Sequence, residues 1–500
     1  MSADAANSRT FTATHGAGGK GSAIRVAGSG PINQITVASA LRILHAIHDF
    51  LPRHQAGSEI YALELARAQS PRHHVTILCA DYDPLRRHGH VTWRVHGGLP
   101  VVEIANNWIC GSFADTYRSS RIGEQITAIV DAVQPDVLHV HNLLNLTFDL
   151  PAVARARRIP IVATLHDYTL VCASGGQRIH RAERHVCHTI DVDRCTRCFR
   201  ESPFYAQMSV GAIAGESSGS RLVHGGAAAL RRRFPALAAR LAQAAAQTSA
   251  IPVTAADIEA RLTAGRAVFD AIDLFVAPSR SIAAEFQRLG LDRSKIRVSD
   301  YGFVPLGSAM RTNRRGRLRI GYVGTLVWHK GVHVLVDAVR DLPCDRYQLN
   351  IFGNPDVFPD YFAELRAKAA GLPVHFMGAF SREQTAAIYR QMDVLVVPSL
   401  WLENSPLVIH EAFMAGVPVV GARMGGITDL VADGENGFLY EATSSSALAA
   451  ALRTLIDDPC RLAEFSRRIP AVKSILVDAH QWDALYEGLL ERGVPVGAAR

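Results

Sequence analysis

Apolar residues gather in short runs, and segments of helical period separate them. Leu41–His48, Val75–Ala80, Asp136–His141, Ile161–His166 and Ala271–Ala277 have apolar centres and strand-like length, the pattern of strands covered on both faces. Ser58–Gln69 places Ile60, Leu63 and Ala66 at helical spacing, and helices are expected between several of the other runs. A second series begins beyond residue 316: strand Leu318–Val323, helix Val332–Arg340, strand Tyr347–Phe352, helix Pro359–Ala370, strand Val374–Met377, helix Ser381–Met392, strand Val394–Pro398, helix Pro406–Ala415 and strand Pro418–Ala422. Strands alternating with helices predict parallel sheets. Two such series in succession predict two doubly wound α/β domains.

The pattern also sets the domain boundaries. Residues 1–40 are small and glycine-rich without periodicity and are expected to form a disordered tail. The first domain is expected over 41–310 and the second over 317–475, with a helix and tail over 476–500. Residues 168–265 interrupt the first domain as an insertion. Its first part, Cys172–Cys198, is polar; its second, Arg221–Gln247, is Ala/Arg-rich and helical in pattern, broken at Pro235. No short internal repeat is present.

Composition narrows the class. A chain of 500 residues with 48% hydrophobic and 20% charged residues is neither disordered nor a small disulfide scaffold. The uncharged candidate for a membrane span, Ser202–Gly215, is too short and too polar to cross a bilayer, and the first residues lack the apolar core of a signal peptide. A cytoplasmic location is therefore expected. The net charge of +7 is uneven: residues 1–316 carry 36 Lys and Arg against 25 Asp and Glu, and residues 317–500 carry 17 against 21. No acidic residue falls between Glu216 and Asp257, where Arg221, Arg231, Arg232, Arg233 and Arg240 lie. That segment suits an anionic membrane surface or is a solvated helix. A nucleic-acid binder built on residues 172–240 is disfavoured, because Arg221–Gln247 holds only Phe234 as an aromatic.

Candidate chemistry sits where strands run into helix N-termini. After Leu318–Val323 comes Gly324-Thr325-Leu326-Val327-Trp328-His329-Lys330-Gly331, a glycine-flanked turn with one of only five lysines in the chain, suited to a phosphate. Farther on, Glu403 precedes a helix with Pro406 at its first position, and Glu411 lies about one and a half turns inside. The sequence Glu403-Asn404-Ser405-Pro406-Leu407-Val408-Ile409-His410-Glu411 has the Glu-x7-Glu spacing of glycosyltransferase family 4. Val397-Pro398-Ser399 before it, Gly425-Gly426 after it, Asp433-Gly434 with Gly437 beyond, and Phe352-Gly353-Asn354 resemble the same family in the same order. In the first half, Gln55-Ala56-Gly57-Ser58-Glu59, His139-Val140-His141-Asn142, Thr164-Leu165-His166-Asp167 and Phe275-Val276-Ala277-Pro278-Ser279 resemble the family's acceptor domain.

This resemblance implies the GT-B fold, two Rossmann-like domains facing across a cleft. It implies a retaining transferase that moves a sugar from a UDP- or GDP-sugar to a glycan or lipid-linked acceptor, in cell-envelope or exopolysaccharide synthesis. It implies that Lys330 meets the donor diphosphate, Glu403 the transferred sugar and Glu411 the ribose, and that His166 lies by the reacting centre. Gly324, Thr325, Gly353, Asn404, Ser405 and Leu407 complete the donor site, and Gly57, Ser58, His141 and Asp167 the acceptor side. No cofactor is required, since Lys330 and helix-terminal amides can offset the leaving-group charge. One departure stands out: where the family often has arginine after the loop's first glycine, this chain has Thr325, so either another arginine substitutes or amides hold the diphosphate. A catalytically idle GT-B scaffold that binds a nucleotide-sugar or activates a partner is the alternative.

Two further signals compete for metal. Asp81-Tyr82-Asp83 and Asp191-Val192-Asp193 match an Asp-x-Asp pair, a pattern that chance produces easily. Cys172, Cys187, Cys195 and Cys198 put half of the eight cysteines within one short stretch, where they hold a structural zinc, with His185 and His188 as spare ligands, remain reduced thiols, or serve a disulfide or redox role.

Overall fold

The computed structural model describes residues 40–83, 85–214, 251–306 and 316–492, and positions 226, 229, 230, 233, 234, 237, 238, 240 and 241. The expected tail up to residue 39, the junction at 307–315 and most of the basic segment, including Arg221, Arg231 and Arg232, lie outside the described residues.

The first sheet has eight strands: β1 (Arg42–Ile47), β2 (His74–Asp81), β3 (Val91–His96), β4 (Leu99–Ala105), β5 (Val137–Val140), β6 (Ile161–Thr164), β9 (Leu274–Ala277) and β10 (Ile296–Val298), in the order β10-β9-β6-β5-β1-β2-β4-β3. Every pairing is parallel except that of β3 with β4. Between β6 and β9 the insertion adds a hairpin of β7 (Ile179–His180) and β8 (His185–Val186). The second sheet is wholly parallel: β11 (Leu318–Val323), β12 (Tyr347–Phe352), β13 (Val374–Gly378), β14 (Val394–Val397), β15 (Val419–Ala422) and β16 (Gly437–Tyr440), in the order β13-β12-β11-β14-β15-β16. Ile43, Leu44, Val394 and Leu395 are fully buried, as strands with helices on both faces must be.

Some boundaries differ from the sequence reading. Ala271 ends the helix Ala255–Ala271, so strand β9 starts only at Leu274. The expected helix Ser381–Met392 is a 3-10 turn, Arg382–Gln384, running into the short helix Thr385–Tyr389. Pro406 caps the next helix instead of occupying its first turn: its ψ of 116° is extended, and the helix runs over Leu407–Met414. The antiparallel pair β3–β4 and the helix Ser120–Val133 were not anticipated.

The helix Ile475–Arg492 follows the second sheet in sequence but packs on the first. Ile475, Ala479, Trp482, Tyr486 and Leu489 join Ile43, Tyr61 and Leu65 in one apolar cluster. Asp478 accepts from Tyr61 Oη at 2.8 Å, Trp482 Nε1 donates to Tyr61 Oη at 2.9 Å, and Tyr486 Oη meets His139 Nδ1 at 2.7 Å. Among the described residues no helix is long and apolar enough to cross a membrane.

Candidate active site

In both sheets the chain reverses direction of growth at a switch point, between β1 and β5 in the first and between β11 and β14 in the second. Loops at the carboxyl ends of these strands are where doubly wound folds bind ligands, and here the two sets of loops meet. The loop after β14 carries Glu403 and Asn404, and Asn404 Nδ2 donates to the backbone oxygen of His166, which follows β6. Ser405 Oγ donates to Asp300 Oδ1 at 2.7 Å, just beyond β10. Ser281 bonds Asp429 Oδ2 through its amide at 3.0 Å and its hydroxyl at 2.7 Å. Leu407 packs against the apolar cluster of the first sheet, and a Cβ on Gly57 would lie 2.9 Å from its Cδ1.

Lys330 and Glu403 touch. Lys330 Nζ donates to Glu403 Oε1 at 2.6 Å, and Ser399 Oγ donates to the same oxygen at 2.5 Å. The ammonium also lies 5.1 Å from the centre of the Trp401 ring, within cation–π range. Glycine makes this arrangement possible. At Gly331, φ is +70° and a Cβ would fall 1.8 Å from Pro398 O, so the lysine loop seats directly on the end of β14. Gly426 donates its amide to Glu403 O at 2.7 Å, and a Cβ there would lie 1.8 Å from Asn404 O. Gly353 holds the loop after β12 against the carbonyl of Gly324, 2.3 Å from where its Cβ would be. Thr325 is exposed and adds no charge.

Glu411 is separate from this pair. Its Oε2 accepts from Tyr389 Oη at 2.8 Å, and burial raises its pKa despite the Tyr389 bond and the nearby Arg382. Ser405 Oγ also meets His410 Nε2 at 2.9 Å. Burial lowers the His410 pKa although Asp300 lies 3.3 Å away.

On the acceptor side a chain of imidazoles runs inward from His166. His166 Nδ1 meets Tyr301 Oη at 2.9 Å and its Nε2 meets His141 Nδ1 at 3.0 Å. His141 Nε2 meets His45 Nδ1 at 2.9 Å, and His45 Nε2 meets Gln69 Oε1 at 3.0 Å. Gln69 Nε2 donates to Asp483 Oδ1 at 3.1 Å, which leaves Gln69 Oε1 as an acceptor. The direction of every bond follows: His45, His141 and His166 each donate from Nε2, and Tyr301 donates to His166. Burial keeps all of them neutral, lowering His166 to about 3 and His45 to about 4, with His139 and His141 well below the ordinary imidazole value. His166 thus has both ring nitrogens occupied, and its carbonyl oxygen accepts from Asn404 across the cleft. Asp167, raised by burial, accepts from Asn142 Nδ2 at 2.5 Å and Thr169 N at 2.8 Å. Ser58 Oγ bonds Glu59 at 3.1 Å.

The metal signals divide. Asp81 is held by Arg53 and Arg86, and Asp191 caps the helix Val192–Arg200 by accepting from Arg194 N at 2.9 Å, so the Asp-x-Asp pairs serve the fold. Cys172, Cys187, Cys195 and Cys198 are free and half-buried. Burial, then the neighbouring sulfurs, raise Cys195 and Cys198 to about 12, so the four share one neighbourhood. They do not close to the ~4 Å sulfur spacing of a tetrahedral zinc site: among the described residues only His45, His139 and His141 bring three ligand atoms within 4.8 Å of one another. No motif marks Asp300, Tyr301 or Tyr389, although Asp300 and Tyr301 follow the end of β10, where ligands of such sheets bind.

The family model of glycosyl transferases group 1 matches residues 311–471. That of glycosyltransferase family 4 matches residues 56–199. The chain thus carries two glycosyltransferase domains, one matching each model. Among its relatives is the D-inositol 3-phosphate glycosyltransferase of Corynebacterium glutamicum (strain R), 36% identical over 148 residues, which are 28% of this chain and 35% of that protein. Glycogen synthase of Mycobacterium tuberculosis (strain ATCC 25618 / H37Rv) is 31% identical over 182 residues, 35% of this chain and 42% of that protein. The chain spans about a third to two fifths of the length of these curated relatives. Among solved structures, sucrose-phosphate synthase from Thermosynechococcus elongatus superposes with a TM-score of 0.60 at 18% identity, over 90% of this chain and 99% of that one. Anabaena HepE in complex with UDP and glucose gives 0.55 at 18% identity, over 90% and 100%. These likenesses show the fold: GT-B.

Proposed function

We propose that the protein is a retaining glycosyltransferase that moves a sugar from a nucleoside diphosphate donor to a hydroxyl of a glycan or lipid-linked acceptor, in envelope or exopolysaccharide synthesis. The observation that carries this reading is the Lys330–Glu403 pair, 2.6 Å apart, at the place where the carboxyl ends of two doubly wound sheets meet. A diphosphate entering there meets Lys330, and the sugar bound to it meets Glu403. The bond between sugar C1 and the phosphate oxygen breaks with its electron pair going to phosphate. The acceptor oxygen forms the new bond to C1 on the same face, and its proton passes to the departing phosphate. Glu403 favours the positive charge that develops on the sugar, and Lys330 the negative charge on the leaving group. Glu411, a turn and more inside the helix, is suited to the ribose hydroxyls. Relatives of the fold supply support for the donor class: HepE is described in complex with UDP-glucose and a starch synthase of Arabidopsis thaliana bound to ADP and acarbose.

A panel of UDP-, GDP- and ADP-sugars tests this. One of them is expected to raise the unfolding temperature of the full chain and to be slowly hydrolysed without acceptor. Stabilisation without hydrolysis or transfer to any acceptor would favour the idle scaffold instead.

A lipid-linked acceptor accords with one surface feature. Phe234, Leu237 and Leu241 are 54%, 49% and 53% exposed at helical spacing, with Arg233 and Arg240 exposed beside them. Such a face suits the anionic inner surface of a cell membrane. Sedimentation with vesicles is expected to require anionic lipid, to weaken with salt, and to fall when Arg231, Arg232 and Arg233 are replaced by Gln.

A further inference from the structure

The donor loop is short of positive charge. Lys330 is matched by Glu403. Thr325 is neutral, and His329 is buried and lowered to about 3, first by burial and then by Lys330 and Arg181. A nucleoside diphosphate set into this loop would meet no unmatched cation from the loop itself.

One comes from the other side of the cleft. The hairpin β7–β8 of the insertion reaches across, and its turn holds Arg181 and Arg184. Arg184 Nη2 bonds Glu364 Oε1 at 2.7 Å, tying the turn to the helix Pro359–Lys368 of the second sheet. The Arg181 guanidinium lies 6.0 Å from the centre of the Phe358 ring, which belongs to the loop after β12, and that loop rests on the Gly324 carbonyl through Gly353. Within its own segment Arg181 donates to Gln177 Oε1 at 3.0 Å. No carboxylate among the described residues pairs with it; its surface is open to solvent, yet burial of its guanidinium lowers its pKa, and the groups acting on it are the thiols of Cys198 and Cys172. The hairpin that carries it is braced: His180, buried, bonds Glu201 at 2.7 Å, and Arg178 pairs with Glu285 and lies 5.3 Å from the Tyr168 ring centre. An unmatched guanidinium on a fixed support, beside a phosphate loop, is a preformed anion ligand.

We propose that Arg181 supplies, from the acceptor side of the cleft, the guanidinium that the donor loop lacks, and that it binds the distal phosphate of the nucleoside diphosphate. The inference rests on the donor-site reading given above. The distal phosphate is specified because it is the one bonded to the sugar, and the sugar must face the acceptor half. A cation arriving from that half therefore meets it before the proximal phosphate. Arg181 would hold the donor and stabilise the oxygen that receives the electron pair as the sugar departs. In this way the insertion, whose sequence shows no donor motif, takes over the role that Thr325 leaves open.

Titration calorimetry on the full chain with UDP, GDP and ADP, each beside its monophosphate, tests the assignment. Arg181→Ala is expected to weaken the preferred diphosphate by about tenfold or more, the scale of one charge-assisted bond, and to leave the matching monophosphate within about twofold. Arg181→Lys should restore part of the loss, since it keeps the charge without the fork. The unfolding temperature of both variants should stay near that of the parent, because Arg181 makes no ion pair and its one hydrogen bond is to Gln177. Diphosphate affinity within about twofold of the parent in Arg181→Ala would overturn the proposal, as would an equal fall for mono- and diphosphate. Failure of the parent chain to bind any nucleotide would instead remove the donor-site reading, and this inference with it.

Discussion

Glu403 has two oxygens in different circumstances. Oε1 takes both Lys330 and Ser399, while Oε2 has no hydrogen-bond partner among the described residues and is the atom left for a sugar. Removing the carboxylate by Glu403→Ala is expected to lower kcat by about 100-fold or more, on the scale of a lost transition-state contact, with donor KM changed far less. Glu411→Ala should do the reverse, raising donor KM with kcat held, because a ribose contact is equally strong in ground and transition states. Steady-state kinetics separate the two, and unchanged constants in both variants would remove the assigned roles. Gly426→Ala tests the support beneath them. A methyl 1.8 Å from Asn404 O must displace the Glu403 loop, at a cost of about 1–3 kcal/mol, visible as a lower unfolding temperature together with lower turnover.

Individual elements were legible in the sequence to different degrees. Strands β11, β12 and β14 and the loops after them could be read because the information is local: an apolar run, a glycine turn, then charged residues at fixed spacing. The pair Gly425-Gly426 belonged to the same pattern, and its reason is now physical, since side chains there would collide with Glu403 and Asn404. The hairpin β7–β8 was not legible. Two strands of two residues leave no periodicity, and what fixes them is His180 with Glu201 and Arg184 with Glu364, partners distant in sequence. Strand β3 lies at the sheet edge with a half-exposed pattern that blurs its period, whereas β4 is a buried core strand whose apolar run Leu99–Ala105 carries the usual signal. The four cysteines were legible as a group but not in their state. As thiolates they repel one another, and a divalent cation would relieve that repulsion if their side chains turned inward. The zinc reading predicts about one equivalent of metal in protein purified without added zinc, lost on replacing any one of the four by Ser. Metal-free protein with four alkylatable thiols would leave them as reduced cysteines.

At the scale of the molecule, a layer of buried neutral histidines lies under the acceptor half. His45, His139, His141 and His166 bind protons far less readily in the folded chain than in the unfolded one, where an ordinary imidazole titrates near 6.5. The unfolded state therefore holds more protons below pH ~6.5, and stability must fall as pH falls, by up to about 1.4 kcal/mol per pH unit for each histidine until its folded value is reached. Urea unfolding at pH 7.5, 6.0 and 5.0 should show this decline, and a variant such as His141→Asn should show a shallower one. A flat profile would mean that these groups titrate normally. The same layer is closed from outside by Trp482 and Tyr486, residues that a ribosome adds only after the whole second sheet. The first sheet is therefore translated long before its own cover exists. A growing chain carries an open apolar face through the making of the entire second half, and a message interrupted before residue 475 yields a substrate for chaperones and proteases, not a working half-enzyme.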